Sequence, residues 1–432
     1  MSITQTLGFL ADSKPIHSLA KVLLGQNSLK KTSLSILYRL KVALTQMYHT
    51  PAVRMEADDD ITDEITKVYN GLEGKTLHLP DLRPVYAGWA EGRNRHYERL
   101  LPVINEYIDK YIDDAKFAKK LKAVDLAAFT AVIYPDTEWD RLVTMGILCF
   151  FLFAFDDMID KEIDPNVPDF ASDMNSANQF RDETVLYIKS QLESPKPRRR
   201  SSLFPQAGQV NPQQLPYHKL LPSFVPIAKA CTATAPTQIN RPLLAQDLED
   251  FFLSNGPEQK FRLAGTFPTI DEYWAFRHGT GAVFIFAALA QYMADTHLPS
   301  DLAWNDEVSV MRFEMSLQPI LCNDLFSLKK EMREGTASNL VPITIHEKGA
   351  SLQEAADSVV EQMYRSAERF GAAAASLRAK SQGCDGETRT ELERFVATFE
   401  SFQTGCFRFY MESRRFGIME YRQEDGSFDI PL

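Results

Sequence analysis

Apolar residues recur every three to four positions along most of the chain, which is the spacing of amphipathic α-helices. Alternation of period two, bounded by turn residues, does not recur, and the sequence has no repeat of fixed period. The pattern predicts an all-α bundle of about ten or more helices. The predicted helices cover residues 34–47, 101–112, 115–129, 138–161, 238–252, 270–292, 306–333, 352–369 and 387–415, and a further helical stretch begins at residue 57.

The predicted helix over 138–161 differs from the others because it becomes almost wholly apolar. Thr137 is placed to be its N-cap, and the run from Met145 to Phe155 contains no charged residue. A helix that is apolar on all sides is buried. Its apolar stretch is too short, and too soon followed by aspartates, to span a bilayer. We therefore predict a helix in the protein core.

The chain divides into an N-terminal segment and one large domain. Residues 1–75 have mixed patterning and are predicted to be partly irregular, whereas residues 76–432 form a single α-helical domain. Proline recurs between about residues 193 and 236, so this stretch cannot be a continuous helix. We predict an inserted, partly disordered loop between two core helices. The three arginines at 198–200 favour a solvated linker over a binding site.

Charge and cysteine content narrow the functional class. The net charge is -11 over 432 residues, which argues against a nucleic-acid binder and against a nuclease-like metal hydrolase. The five cysteines are widely spaced without a C-x-x-C pair, so a disulfide framework and structural zinc are both disfavoured. The N-terminus lacks a secretory signal pattern. We expect a cytoplasmic protein without integral membrane association.

Three aspartates end the apolar helix at Asp156, Asp157 and Asp160. Asp156 and Asp160 are four residues apart, so they share one helix face with a rise of about 6 Å. Carboxylates at a helix C-terminus repel one another and oppose the helix dipole, whereas Mg²⁺ binds such hard oxygen ligands. In isolation the cluster is better explained by a solvated helix end. The core-like residues before it favour metal ligands at the mouth of a buried cavity.

A second oxygen-bearing stripe is formed by Asn323, Ser327 and Glu331, which recur at intervals of four residues. This spacing stacks an amide, a hydroxyl and a carboxylate on one helix face, where they can chelate a divalent ion. Lys330 is placed to reach an anionic ligand of that ion. The alternative is a plain polar face, but Asn and Ser contribute little to helix stability there. The two stripes together predict a shared polynuclear magnesium site.

The two stripes resemble the paired metal motifs of class I terpene cyclases. The first has the form Asp-Asp-x-x-Asp from Asp156, and the second the form Asn-Asp-x-x-Ser-x-x-Lys-Glu from Asn323, with the lysine common in fungal members. The resemblance implies an isoprenoid synthase-like helical bundle around a central cavity, and three Mg²⁺ ions, for which Mn²⁺ could substitute. It also implies a set of metal ligands, of which Asp156 is the main one in the first motif: Asp156, Asp157, Asp160, Asn323, Ser327 and Glu331.

Two further elements of that family match in order and spacing. Arg277 resembles the diphosphate-sensing arginine, and Thr280 and Gly281 occupy the positions of the helix break that follows it. Arg415 resembles the arginine of a C-terminal Arg-Tyr pair, although Phe416 stands where the tyrosine is expected. Phenylalanine cannot donate a hydrogen bond to diphosphate. The resemblance therefore implies diphosphate contacts from Arg277, Lys330 and Arg415.

Aromatic side chains close to the motifs are candidates for the wall that stabilises a carbocation. Phe153 lies one turn before Asp157, and Phe409 stands where many family members carry an aromatic residue. Cation–π attraction is worth on the order of 1–2 kcal/mol in a desolvated site. Phe151 and Phe155 also precede the aspartates, and ordinary core packing is the preferred explanation for at least half of the phenylalanine-rich run.

The expected function is Mg²⁺-dependent cyclisation of a prenyl diphosphate, with farnesyl diphosphate as the preferred substrate and a sesquiterpene hydrocarbon or alcohol as the product. Cyclisation of geranyl or geranylgeranyl diphosphate stays open. A chain-elongating prenyl diphosphate synthase would share the fold but usually carries two aspartate-rich motifs. A non-catalytic helical scaffold would have lost metal ligands, and none is visibly lost. Dimers are common among similar cyclases, so a homodimer is also considered.

Overall fold

The computed structural model describes residues 64–160, 170–193 and 218–432. The predicted helix over 34–47, the stretch from residue 57 and most of the N-terminal segment lie outside the described residues. So does the centre of the proline-rich insert, residues 194–217.

The described residues form α-helices and one short pair of strands, which confirms the all-α fold class. Short 3₁₀ segments occupy Arg83–Tyr86, Leu221–Phe224, Ser381–Gly383 and Met419–Tyr421. In chain order the regular elements are α1 Glu64–Asn70, β1 Thr76–Leu79, α2 Tyr97–Tyr111, α3 Ala115–Val124, α4 Leu126–Ile133, α5 Trp139–Asp160, α6 Met174–Leu192, α7 Val225–Ala233, α8 Arg241–Ala264, α9 Ile270–Thr280, α10 Val283–Ala288, α11 Ala290–Ala294, α12 Ser300–Ala303, α13 Asp306–Glu334, α14 Leu340–Lys348, α15 Leu352–Lys380, α16 Gly386–Glu412 and β2 Phe428–Pro431.

Two long helices, α5 and α13, carry the predicted metal motifs through the interior of the bundle. Helix α13 packs against α15, α16 and α10, and α5 packs against α2, α4 and α7. Among the described residues, α5 alone is long and apolar enough to cross a membrane, but 78% of its most apolar window is buried inside the bundle. Its lack of a polar face thus reflects protein on every side.

The predicted helix over 115–129 is two helices, because the chain turns at Asp125. This residue adopts a left-handed conformation, with φ of 58°, which aspartate tolerates better than most residues. Its side chain accepts a hydrogen bond from the Ala128 N–H at 2.9 Å and so caps α4. The predicted N-cap at Thr137 is also wrong: α5 begins at Trp139, and the Thr137 hydroxyl donates to the Met293 carbonyl at 3.0 Å.

The proline-rich insert is not a loop throughout. Residues 221–233 form a 3₁₀ turn and α7, which begins with Pro226 in its first turn, where proline is tolerated. Leu221, Phe224 and Ile227 are buried against the bundle. Each of these short helices has a proline in its first turn. The prediction of a loop, which rested on the frequency of proline, is therefore wrong over residues 221–233.

Helix α8 runs twelve residues beyond its predicted end at residue 252, through Pro257 to Ala264. The helix continues through Asn255-Gly256-Pro257, and the Asn255 amide donates to the Phe251 carbonyl at 2.7 Å. Tertiary packing against α6 and α9 outweighs the local penalty. The extension carries Glu258 and Arg262 to the centre of the molecule.

Two short strands, β1 and β2, lie against the helices, and the helical pattern did not predict them. They pair antiparallel, with Thr76 opposite Pro431 and Leu79 opposite Phe428. Leu77 and Ile430 are buried against the helices.

Gly405 provides a stability test, because α16 crosses α4 there at backbone contact. A methyl group at this position would lie 2.5 Å from the Val132 carbonyl oxygen and 2.7 Å from the Ile133 Cα. We expect Gly405→Ala to lower the free energy of unfolding by about 1–3 kcal/mol in chemical denaturation, because backbone atoms cannot move aside.

The matched control is Gly371→Ala in α15, where nothing lies within 4 Å of the new methyl group. It should raise the free energy of unfolding by about 0.5–1 kcal/mol, the helix-interior preference of alanine over glycine. Equal effects of the two substitutions would contradict the proposed helix contact.

Candidate active site

A cavity of about 460 Å³ lies between α5, α8, α9, α13 and α16. Its volume falls within the roughly 300–1,000 Å³ of small-molecule sites. Ser327 is fully buried behind this surface and does not line it. The predicted site residues that line the cavity are Phe153, Asp156, Asp157, Asp160, Arg277, Thr280, Gly281, Asn323, Lys330, Glu331, Phe409 and Arg415.

The three aspartates of α5 have different surroundings. Asp157 is 2% exposed, and its Oδ1 lies 3.5 Å from Lys120 Nζ and 3.7 Å from Arg415 Nη2. Burial raises the pKa of Asp156 to about 7, with further repulsion from Glu258 and Asp157. Asp156 and Asp160 are thus the carboxylates whose charge the protein itself balances least.

Asp160 has its pKa raised by burial first, then by repulsion from Asp156 and Glu258. Arg262 opposes this shift and also fixes the end of α5: its Nη2 donates to the carbonyls of Ile159 at 3.2 Å and Ala171 at 2.9 Å. The helix end therefore has a cation beside its acids, as the helix dipole requires.

Glu258 and Arg262 are cavity residues that sequence reasoning missed. Both lie on α8, four residues apart and therefore on one helix face, about one hundred residues after the aspartates. An i, i+4 acid and base pair is common on solvent-exposed helices, and nothing in its pattern indicates a cavity. The only available signal was that the pair follows the apolar helical run over 238–252.

The second stripe lies along α13. Asn323 and Glu331 line the cavity, and the buried Ser327 hydroxyl between them has no hydrogen-bond partner among the described residues. Lys330 also lines the cavity, with its Nζ 2.8 Å from Glu334. The fold thus brings the two predicted oxygen-bearing stripes to the same cavity from separate helices.

Asp324 is a further functional candidate that the sequence did not indicate. Its side chain does not line the cavity. It is fully buried, and its carboxylate receives hydrogen bonds from Arg277 at 3.2 Å, from the Tyr273 hydroxyl at 2.5 Å and from the Leu340 N–H at 2.6 Å. Burial raises its pKa to about 6 against the opposing effect of Arg277. Arg277 also donates to Asn323 Oδ1 at 3.0 Å, so one guanidinium connects both residues.

The helix that carries Arg277 ends at the cavity. The predicted helix over 270–292 is interrupted after Thr280, where Gly281 caps α9 and Ala282 takes a left-handed conformation with φ of 59°. A methyl group on Gly281 would come within 3.0 Å of Ile320 on α13. A left-handed alanine is unfavourable, so the break is imposed by packing rather than by local preference.

Aromatic rings form a further part of the cavity lining. Phe129 lies between Phe153, at a centroid distance of 5.6 Å, and Phe409, at 4.8 Å. Phe286 and Phe402 contact each other at 5.1 Å and line the same cavity. The wall therefore includes rings from α4 and α10 in addition to the two that were predicted. Phe151 and Phe155 do not line it and pack with other core phenylalanines.

Arg415 and Phe416 line the cavity just beyond the end of α16. Phe416 is mostly buried and meets Tyr410 edge to face, with ring centroids 5.5 Å apart. Tyr410 is a further cavity residue that no motif indicated.

The residues present fit a divalent cation that binds hard oxygen ligands. No three His, Cys, Asp or Glu side chains in the described part of the chain form a complete metal cage. Mg²⁺ rarely uses such cages, because it retains waters and binds one or two carboxylates together with substrate phosphates. The repulsion between Asp156 and Asp160, and the unsatisfied Ser327 hydroxyl, are both features that such an ion would relieve.

The chain matches the family model described as terpene synthase family 2, C-terminal metal binding, over residues 148–369. This region contains both oxygen-bearing stripes. The chain is also 26% identical over 362 residues to the sesquiterpene cyclase hepA of Aspergillus oryzae. This match covers 84% of this chain and 95% of the relative.

Two solved structures share the fold. Germacradien-4-ol synthase from Streptomyces citricolor is 17% identical with a TM-score of 0.59, and the match covers 75% of this chain and 96% of that one. Linalool/nerolidol synthase from Streptomyces clavuligerus, in complex with 2-fluorogeranyl diphosphate, is 18% identical with a TM-score of 0.59, covering 76% and 98%. With the family model matched over more than half of its length, the chain belongs to terpene synthase family 2 and is a class I terpene synthase.

Proposed function

We propose that this protein is a Mg²⁺-dependent terpene cyclase that ionises farnesyl diphosphate and cyclises the carbocation to a sesquiterpene hydrocarbon or alcohol, releasing diphosphate. One observation carries the proposal: the lining of one cavity combines acids, an amide and four cationic side chains with aromatic rings. A substrate with an anionic head and a long apolar tail matches this combination.

The polar side chains would hold three Mg²⁺ ions. Helix α5 would provide Asp156 and Asp160 as ligands, and α13 would provide Asn323, Ser327 and Glu331. Bound Mg²⁺ would supply Lewis-acid stabilisation of the leaving diphosphate. Asp157 already faces Lys120 and Arg415, so its contribution is to keep those cations at the rim of the site.

Three cations of the chain would bind the diphosphate itself. Arg277, Lys330 and Arg415 reach the cavity from three different helices or loops, so they would surround the anion rather than contact one side of it. Preorganised donors of this kind favour bond cleavage because they stabilise the charge that develops on the leaving group. The helix break at Thr280 and Gly281 would couple the Arg277 contact to movement of α9 and α10.

The aromatic side chains of the cavity would shape and protect the substrate carbocation. Phe153 and Phe409, with Phe129 between them, present π faces that attract a positive charge by about 1–2 kcal/mol each when water is excluded. The apolar wall also excludes water, which would otherwise quench the cation.

Chain length of the substrate is proposed from the relatives. The Aspergillus oryzae protein is named a sesquiterpene cyclase, which favours farnesyl diphosphate. The Streptomyces clavuligerus synthase was solved with a fluorinated geranyl diphosphate, so geranyl diphosphate is the second candidate. We further propose a cytoplasmic enzyme that acts without nucleic acid, with Mn²⁺ as a substitute ion and a homodimer as its assembly.

The metal assignment predicts that Asp156→Asn removes most of the enzymatic activity. Mg²⁺-dependent release of diphosphate from farnesyl diphosphate should fall by roughly a hundredfold or more, since a charged ligand in the reacting centre is lost. Asn323→Ala should cause a comparable loss. The control is Asp182→Asn at an exposed position of α6, which should retain full activity. Full activity in both cavity variants would refute the metal assignment.

In the metal-free protein the raised pKa of Asp156 predicts a pH effect. An acid whose pKa rises from 3.8 to about 7 on folding favours the folded state only while protonated. With EDTA present, stability should therefore fall as the pH rises from about 4 to about 7, and Asp156→Asn should flatten this dependence. Thermal unfolding across this pH range measures it. If the substitution leaves the dependence of stability on pH unchanged, the raised pKa of Asp156 is contradicted.

The substrate class is tested by incubation with each diphosphate separately. Farnesyl diphosphate alone with Mg²⁺ should yield a cyclic C15 product by mass spectrometry of extracts, because a cyclase needs no second isoprenoid. Geranyl and geranylgeranyl diphosphate serve as matched comparisons. Product formation that requires added isopentenyl diphosphate would instead identify a chain-elongating synthase.

Phe416→Tyr should strengthen diphosphate binding. The ring lines the cavity beside Arg415, and a hydrogen bond to a charged phosphate is worth about 1.5–3 kcal/mol. Calorimetry with inorganic diphosphate and Mg²⁺ should show affinity tighter by roughly tenfold. Met419→Tyr adds a phenol at a position that is 41% exposed and should have no effect. Unchanged binding by Phe416→Tyr would exclude this position from the diphosphate site.

A further inference from the structure

Asn339 lies outside both metal motifs but contacts the second one directly. It is fully buried between α13 and α14, and it is the N-cap of α14: its Oδ1 accepts a hydrogen bond from the Val341 N–H at 3.0 Å. The capping role occupies only the amide oxygen. The Nδ2 group is left to make other contacts.

The Nδ2 group of Asn339 connects two turns of α13. It donates to the Asp324 carbonyl oxygen at 2.7 Å and to Glu331 Oε2 at 2.8 Å. Glu331 is 8% exposed, and its other oxygen, Oε1, has no hydrogen bond to a described residue. A long glutamate side chain has several rotamers, and a buried donor on one oxygen selects among them.

The same junction fixes Arg277. The start of α14 donates the Leu340 N–H to the Asp324 carboxylate at 2.6 Å, and that carboxylate binds Arg277 and Tyr273. The amide and backbone of residues 339–340 therefore hold one predicted metal ligand and the partner of one predicted diphosphate ligand.

We propose that Asn339 is a positioning residue that orients Glu331 toward the metal site and anchors α14 to the Asp324–Arg277 pair. The proposal rests on the function proposed above. Hydrogen bonds to a carboxylate ligand fix its direction, and loss of such a partner typically weakens metal affinity by about 10–100-fold. The capping function can be separated from this role, because Asp and Ser cap helices about as well as Asn.

The test compares Asn339→Asp with Asn305→Asp. Asn305 is likewise an N-cap, and its amide donates to the Asp301 carbonyl at 3.0 Å, away from the cavity. Binding of inorganic diphosphate is measured by calorimetry over a range of Mg²⁺ concentrations. Asn339→Asp should raise the Mg²⁺ concentration for half-maximal binding by about 10–100-fold. Asn305→Asp should leave it unchanged.

Asn339→Ser provides a milder variant without the added charge, should the aspartate not fold. It should also raise the Mg²⁺ requirement, whereas a loss of thermal stability with unchanged Mg²⁺ dependence would overturn the proposal and leave Asn339 as a cap only. If the wild-type protein does not bind diphosphate with Mg²⁺, the proposed function fails, and the positioning role with it.

The contact itself is tested in metal-free protein with Asn339→Asp/Glu331→Gln. The single substitution Asn339→Asp places two carboxylates at the 2.8 Å contact and should lower the melting temperature. Glu331→Gln restores a donor and an acceptor with reversed direction, whereas the bond to the Asp324 carbonyl stays lost, so the double variant should recover part of that loss without recovering Mg²⁺-dependent binding. Additive effects on melting temperature would exclude the contact.

Discussion

The structure depends on holding several carboxylates close together in a cavity with little water. Burial raises the pKa of Asp156 and of Asp160, and repulsion from neighbouring carboxylates, including Glu258 in both cases, raises the two pKa values further. The protein offsets only part of this charge, through Arg262 beside Asp160 and through Lys120 and Arg415 beside Asp157. A site left in this condition favours cations, and an anionic substrate becomes acceptable only together with them.

The bundle keeps the two walls in place by close helix contacts and by buried polar connections. Gly405 lets α16 touch the backbone of α4, and Gly279 lets α9 approach α8, where a methyl group would lie 2.1 Å from Ser254 Oγ. Asp324 links α13, α9 and α14 through three hydrogen bonds. A buried carboxylate is stable there because each bond comes from a strong donor.

The cavity combines two environments that rarely coexist. Its carboxylates lie on α5, α8 and α13, and aromatic rings from α4, α5, α8, α10 and α16 complete the lining. The chemistry proposed for this class I terpene synthase needs both, because charge must be neutralised at the diphosphate while the hydrocarbon cation meets no nucleophile.

The sequence by itself determined the helical class, the two oxygen-bearing stripes and the order of the motifs, because each of these depends on spacing within one helix. Asp156 and Asp160, or Asn323 and Glu331, share a face whatever surrounds them. Only the tertiary structure decided which residues from distant helices join them. Glu258, Asp324 and Asn339 look ordinary in the sequence, since burial, repulsion and hydrogen bonding across helices are properties of the packed molecule.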